Sequence, residues 1–183
     1  MQSQNNNLIR TKILEQLKAF ANTDQKPKLD QLLTNQVYDF INQNQYRKIG
    51  IFSNLFYEFD TSSLIKKLLA NQYQVFLPRI EQNDEMNFYQ IQDFNFLYDQ
   101  KFKIKQPIAD IKSLNNDLDL FIVPSVSINN KNIRLGHGGG YYDRFFAKLK
   151  SKNYKISIAY DFMLNDEFDI DQFDTKIDRI FLI

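Results

Sequence analysis

The sequence predicts an α/β fold: one domain over residues 1–183, built as a mostly parallel sheet flanked by helices in three layers (α/β/α). Three observations carry this. Lys48 to Phe52 and Tyr73 to Leu77 are short apolar runs around a helical stretch, a strand–helix–strand unit of about 30 residues. Leu118 to Val123 (Leu-Asp-Leu-Phe-Ile-Val) is the clearest strand signal and stops at Pro124. A chain of 183 residues buries roughly 70% of its unfolded surface, so it needs no staple, and it contains no Cys.

The elements follow in order. Leu8, Ile9, Ile13, Leu17 and Phe20 form a helical stripe, with the Asn run at 5–7 as its cap. Leu29, Leu32, Leu33, Val37, Phe40 and Ile41 repeat the i, i+3, i+4 spacing and predict a second helix after Pro27. Between the two strands of the first unit, Asp60 or Thr61 caps a helix carrying Leu64, Ile65, Leu68 and Leu69. Pro78 is expected to end the strand before it, and Met86 to Ile91 alternates as a further strand. Residues 92–116 carry no assignable pattern. Tyr141 to Lys150 predicts a helix, and Lys155 to Tyr160 and Arg179 to Ile183 close the sheet.

Composition removes several classes of function. Without Cys there are no disulfides, thiolate nucleophiles or zinc-thiolate sites, which fits a cytoplasmic setting. One histidine excludes poly-His metal sites. Lys and Arg number 23 against 22 Asp and Glu, interspersed and without a basic stripe, so no nucleic-acid partner is expected. No apolar run approaches a membrane span, and Met1-Gln-Ser-Gln-Asn-Asn-Asn does not read as a secretory leader. The expected state is a monomer with small-molecule partners.

Four of the five glycines, Gly136, Gly138, Gly139 and Gly140, fall within five residues around the single histidine, His137. Consecutive glycines let amide N–H groups converge into an anion site, and Arg134 and Arg144 flank this one. The spacing matches neither the Walker loop nor Gly-x-Gly-x-x-Gly, since Tyr141 stands where the latter needs glycine. The cluster reads either as a flexible turn or as a phosphate cradle at a helix start. Asp143 reads equally as a helix-dipole acid or a magnesium ligand. His137 reads as a neutral donor to phosphate rather than a general base, because no Gly-x-Ser-x-Gly elbow is present. Glu58, taken alone, reads as an exposed loop acid. In open parallel sheets ligands bind beyond the strands' carboxyl ends, which selects Ser53 to Glu58, Ser125 to Gly140, and Tyr160 to Asp161.

The segment Arg134-Leu-Gly-His-Gly-Gly-Gly-Tyr-Tyr-Asp143-Arg144 closely resembles the signature of the 5-formyltetrahydrofolate cyclo-ligase (methenyltetrahydrofolate synthetase) family. Glu58-Phe-Asp-Thr61, Phe76-Leu-Pro78-Arg79, Ile104-Lys-Gln-Pro107 and Leu118 to Pro124 are similar to further blocks of that family, in the same order. The resemblance implies ATP- and Mg2+-dependent closure of 5-formyltetrahydrofolate to 5,10-methenyltetrahydrofolate, with ADP and phosphate released. It implies that Asn6, Arg10, Arg134, Leu135, Gly136, His137, Gly138, Gly139, Gly140, Tyr141 and Tyr142 surround ATP. Ser53 and Glu58 would line the folate pocket, bordered by His137 to Tyr141. Arg134, His137 and Tyr141 would be catalytic, and Asp143 and Asp174 would hold magnesium. The chain departs from the family pattern at Asn6, where many relatives carry Lys or Arg, at Ser127-Ile128-Asn129, where Gly-Phe-Asp is usual, and before Asp174, where a proline is usual. A non-catalytic folate or nucleotide module and a phosphotransferase with another acceptor are the competing readings.

Overall fold

The computed structural model describes residues 3–93, 97–99 and 104–183. Met1 and Gln2, the first two residues of the stretch read as unlike a secretory leader, and 94–96 and 100–103 of the stretch without an assignable pattern lie outside the described residues.

Helix α1 (Gln4–Phe20) buries the expected Ile9, Ile13 and Leu17, but its cap is Ser3, whose hydroxyl accepts the Asn6 N–H at 3.0 Å. The Asn run lies inside the helix, and two of its side chains are engaged elsewhere: Asn5 and Asn6 reach Glu167 and Asp169. Helix α2 (Gln25–Gln43) begins ahead of Pro27 rather than after it. Proline is tolerated there because first-turn amides have no helical acceptor to lose. Helix α3 (Thr61–Ala70) is capped by Asp60, which accepts the Ser62 N–H at 3.0 Å.

The main sheet comprises β1 (Lys48–Ile51), β2 (Gln74–Ile80), β3 (Met86–Ile91), β6 (Leu120–Val123), β9 (Tyr154–Ala159) and β10 (Arg179–Leu182). Its order is β10-β9-β6-β1-β2-β3, parallel throughout except for β3, which pairs antiparallel to β2. The strand expected to stop at Pro78 instead runs through it to Ile80. Pairing with β1 ends at Phe76, so from Pro78 onward β2 has no main-chain partner on that side. The N–H of Ile80, which points the same way as position 78, donates to Gln106 Oε1 at 2.7 Å instead. A proline there removes no ladder bond. Two short ladders complete the chain: β4 (Leu97–Asp99) with β5 (Ile104–Gln106), inside the unassigned stretch, and β7 (Ser127–Ile128) with β8 (Arg134–Leu135). The second had no sequence signal, because two-residue strands show no periodicity. Among the described residues no helix is long and apolar enough to cross a membrane.

Alternation along the strands divides the core into two. On one face Ile49, Ile51, Val75, Leu77, Leu120, Ile122 and Ile156 pack with α1, α2 and α3. On the other Phe76, Phe88, Phe121 and Val123 pack with Phe145 of helix α4 (Tyr141–Lys148), two residues shorter than expected because Leu149 turns extended. Gly50 lies on this aromatic side. A β-carbon there would stand 2.7 Å from Phe121 Cδ1 and 2.9 Å from Leu118 Cδ1. Phe121 is itself clamped by the rings of Phe88, Phe145 and Phe146. Gly50→Ala is therefore expected to lose about 1–3 kcal/mol by overpacking, read from the denaturant midpoint.

Candidate active site

A cleft of about 1120 Å3 opens beyond the carboxyl ends of β1, β2 and β6. Asn6, Arg10, Ser53, Glu58, every residue from Arg134 to Arg144, and Asp174 line it. Residues from four separate stretches of sequence thus share one cavity. Tyr160, from the third strand-end segment, is not a wall of the cleft; its hydroxyl donates to Asp30 on α2.

The glycines are used for shape. Gly138 and Gly140 have φ of 98° and 65°, conformations that other residues adopt at a cost. Gly140 begins α4 in the left-handed region without a capping side chain, leaving the helix N-terminus to the cleft. A β-carbon on Gly136 would stand 2.6 Å from Arg134 Nη1, and one on Gly139 2.7 Å from the Tyr141 ring. The guanidinium and the ring occupy the space that side chains on the loop would need.

Arg134 on β8 is 5% exposed. Its Nη2 donates to Asp143 Oδ1 at 2.8 Å, and the group lies over the Tyr142 ring at 5.4 Å. Its Nε is buried without a hydrogen-bond partner, as is the Tyr142 hydroxyl. Burial pushes the Tyr142 phenol well above its ordinary range, so it stays protonated. These two unpartnered groups lie beside an uncapped helix N-terminus, a concentration of donors and positive potential that favours an anion. Arg10 ties α1 to the loop, donating from Nε to the Gly136 carbonyl at 2.8 Å. Leu135 is buried in the β7–β8 ladder, opposite Ser127. Tyr141 donates to Asp84 at 3.2 Å and stacks beneath Arg144, which donates to the Gly139 carbonyl.

Asn6 faces the cleft, but its amide is engaged in a two-way clamp. Nδ2 donates to the Asp169 carbonyl at 2.9 Å and Oδ1 accepts the Asp169 N–H at 2.7 Å. Lysine or arginine here, having no acceptor, could not form both bonds.

Glu58, which reads from sequence alone as an exposed loop acid, is 7% exposed. Oε2 accepts the Leu55 N–H at 2.7 Å, and Oε1 lies 3.6 Å from His137 Nε2. Burial raises the carboxyl to about 7, against the lowering influence of that N–H and of Lys26. Burial, then Arg10 and Arg134, lower His137 to about 4. The imidazole is therefore neutral at pH 7, and its contact with Glu58 is not an ion pair. Tyr57, absent from the sequence-derived set, shares a hydrogen bond with the same Nε2 at 3.3 Å; burial holds its phenol up at about 12.

Asp143 and Asp174 stand at the α4 end of the cleft. Asp143 Oδ1 also accepts the Thr175 N–H at 3.2 Å, and Asp174 Oδ2 accepts that of Asp171 at 2.7 Å. Burial, and more weakly the Asp143 charge, raise the Asp174 carboxyl. Among the described residues no group of three or more His, Cys, Asp or Glu could hold a metal by itself. Two carboxylates suit a magnesium ion that arrives with phosphate oxygens, not a resident one.

The site can thus take an anion at one end and a hydrogen-bonding heterocycle at the other. The 5-formyltetrahydrofolate cyclo-ligase family model matches residues 2–182. The chain is 30% identical to a 5-formyltetrahydrofolate cyclo-ligase of Mycoplasma pneumoniae, covering 95% of this chain and 96% of that one. It is 25% identical to the mouse enzyme of the same name, over 94% and 90% of the two chains. The solved 5,10-methenyltetrahydrofolate synthetase from M. pneumoniae superposes with a TM-score of 0.77 at 27% identity, over 97% and 98% of the two chains. That from Aquifex aeolicus, at 24% identity over 97% and 89%, shares the fold with a TM-score of 0.81. A match that runs through α1, the glycine segment and the closing strands alike shows that the chain belongs to the 5-formyltetrahydrofolate cyclo-ligase family of ligase enzymes.

Proposed function

We propose that the chain closes 5-formyltetrahydrofolate to 5,10-methenyltetrahydrofolate at the expense of ATP, with Mg2+. The observation that carries this reading is one cleft holding both an uncapped, arginine-flanked helix N-terminus and the buried Glu58.

The chemistry sets what the protein must do. A formamide oxygen is a poor leaving group. When that oxygen attacks the γ-phosphorus of ATP, ADP departs and the formyl carbon becomes an imidoyl phosphate. The N10 lone pair then adds to this carbon, the N10 proton is lost, and the C–O bond breaks to release phosphate. No protein nucleophile is needed; positioning and charge stabilisation suffice.

Arg10, Arg134, the glycine amides and Tyr142 are assigned to the phosphates, with Arg134 at the transferring group. Asn6 and Leu135 shape that wall. Bound magnesium would neutralise developing phosphate charge, held by Asp143 and Asp174. Ser53 and Glu58 are assigned to the pterin, Glu58 accepting its ring N–H groups. Neutral His137 is the hydrogen-bonding group between the two ends, and Tyr141 borders the reacting atoms. The same reading includes a monomeric, one-domain protein in the cytoplasm without nucleic-acid partners.

The direct test is spectroscopic. Purified protein with 5-formyltetrahydrofolate, ATP and Mg2+ is expected to develop the absorbance of the methenyl product. Omitting ATP, or chelating the metal, should abolish it. Folded protein that binds both substrates without forming product would sink the proposal.

A further inference from the structure

Behind Glu58 lies a buried ionic cluster that the reaction above does not use. Lys26 Nζ and Asp30 Oδ2 pair at 2.5 Å on α2, with side chains only 8% and 9% exposed. The Tyr160 hydroxyl, just past the end of β9, donates to Asp30 Oδ1. Asp30 Oδ2 also accepts the N–H of Asp60, two residues beyond Glu58 in the loop between β1 and α3. Three elements therefore meet at one carboxylate.

Two features make the cluster costly in isolation. Lys26 stands in the first turn of α2, where the helix dipole disfavours a cation, and that turn holds no acidic residue of its own. A buried ion pair also adds little stability compared with apolar residues of the same volume. Such violations of local preference concentrate where function demands them. Lys26 acts on Glu58 through space, favouring its ionised form.

We infer that the Lys26–Asp30 pair, braced by Tyr160, is a positioning device for pterin recognition: it anchors the loop carrying Glu58 and supplies the field in which that carboxylate accepts the ring N–H groups. The inference rests on the folate role given to Glu58 above. The other groups facing Glu58 are His137 from the glycine segment, Tyr142 from α4 and the neighbouring Tyr57, of which the histidine is neutral and both phenols are protonated at pH 7. On α2, Lys26 is the cation that acts on Glu58, and Asp30 is the anion paired with it; Arg10 and Arg134 lie beyond His137.

The sign of the field makes the inference testable. Lys26→Met removes the cation and leaves Asp30, so Glu58 holds its proton to higher pH. The acid limb of the KM–pH profile for 5-formyltetrahydrofolate should then move up by about one pH unit, raising KM up to about tenfold below it. Asp30→Asn removes the anion and leaves Lys26, so the limb should move down. In both variants kcat at saturating folate and the KM for ATP should stay near wild type. Packing damage would move the two limbs together. Limbs that stay put, or move in the same direction, overturn the inference, and should Lys26→Met not fold, the downward shift of Asp30→Asn decides it. Glu58→Gln separates the premise: if it keeps the limb, the folate role of Glu58 fails; if it abolishes the limb while the α2 variants leave it unmoved, only the inference fails.

Discussion

Arg134→Ala should lower kcat/KM by about 10³-fold while costing the fold about 2–3 kcal/mol. Both effects follow from where the guanidinium sits. It is buried at the cleft wall, bonded to Asp143 at 2.8 Å, with its Nε unpartnered. Truncation leaves the Asp143 carboxylate, 22% exposed, without its cation and opens a void beside Gly136. It also removes a cation from the helix N-terminus where phosphate charge would develop. Arg134→Lys separates the two roles. A lysine restores charge but not the planar fork that reaches two acceptors, so stability should recover more than turnover does. Steady-state kinetics, nucleotide calorimetry and denaturant melts on the two variants provide the readings. Unchanged kinetics in the alanine variant would remove Arg134 from the proposed mechanism.

Glu58→Gln should do two opposite things: weaken 5-formyltetrahydrofolate binding by roughly 10²-fold and make the ligand-free protein more stable above pH 7. The first effect is the loss of charge-assisted acceptance of pterin N–H groups. The second follows from linkage. Burial raises the carboxyl from 4.5 to about 7, so between those values the folded chain binds more protons than the unfolded one. Stability attributable to this group falls as pH rises through that window, and above it the cost is about 3 kcal/mol. Glutamine keeps the acceptor for the Leu55 N–H and removes the charge. His137 works in the other direction. Lowered to about 4, it leaves the folded state with fewer protons than the unfolded between about 4 and 6.5, and its contribution rises with pH there. In the wild type the two slopes oppose. In Glu58→Gln only the histidine slope remains, so urea melts at pH 5 and pH 8 should diverge more than in the wild type. A variant no more stable than wild type at pH 8 would mean that Glu58 does not carry the cost assigned to it.

The candidate site is partly legible in the sequence because some of its features are local. A glycine run permits left-handed backbone whatever surrounds it, and Gly138 and Gly140 adopt it. The location of the cleft followed from parallel-sheet topology. Glu58 was not legible in the same way. Nothing in Tyr57-Glu58-Phe59 says that α2 will cover the loop, and the carboxylate's burial depends on that packing. Asn6 is a similar case: its clamp on Asp169 spans 163 positions of sequence.

Apolar periodicity, caps, prolines and the glycine cluster are properties of neighbouring residues, and from them the amino-acid order alone determined an α/β chain with a glycine-rich turn at the start of a helix. Only the tertiary structure decided that Ser3 rather than an asparagine caps α1, that β2 continues through Pro78, and that Lys26 and His137 come to bear on the buried Glu58. The division has one physical cause. Backbone conformation is set by steric and hydrogen-bonding preferences within a few residues. Desolvation and Coulomb interaction depend on distance in space, and those distances exist only once α2 and the glycine segment have packed around the end of β1.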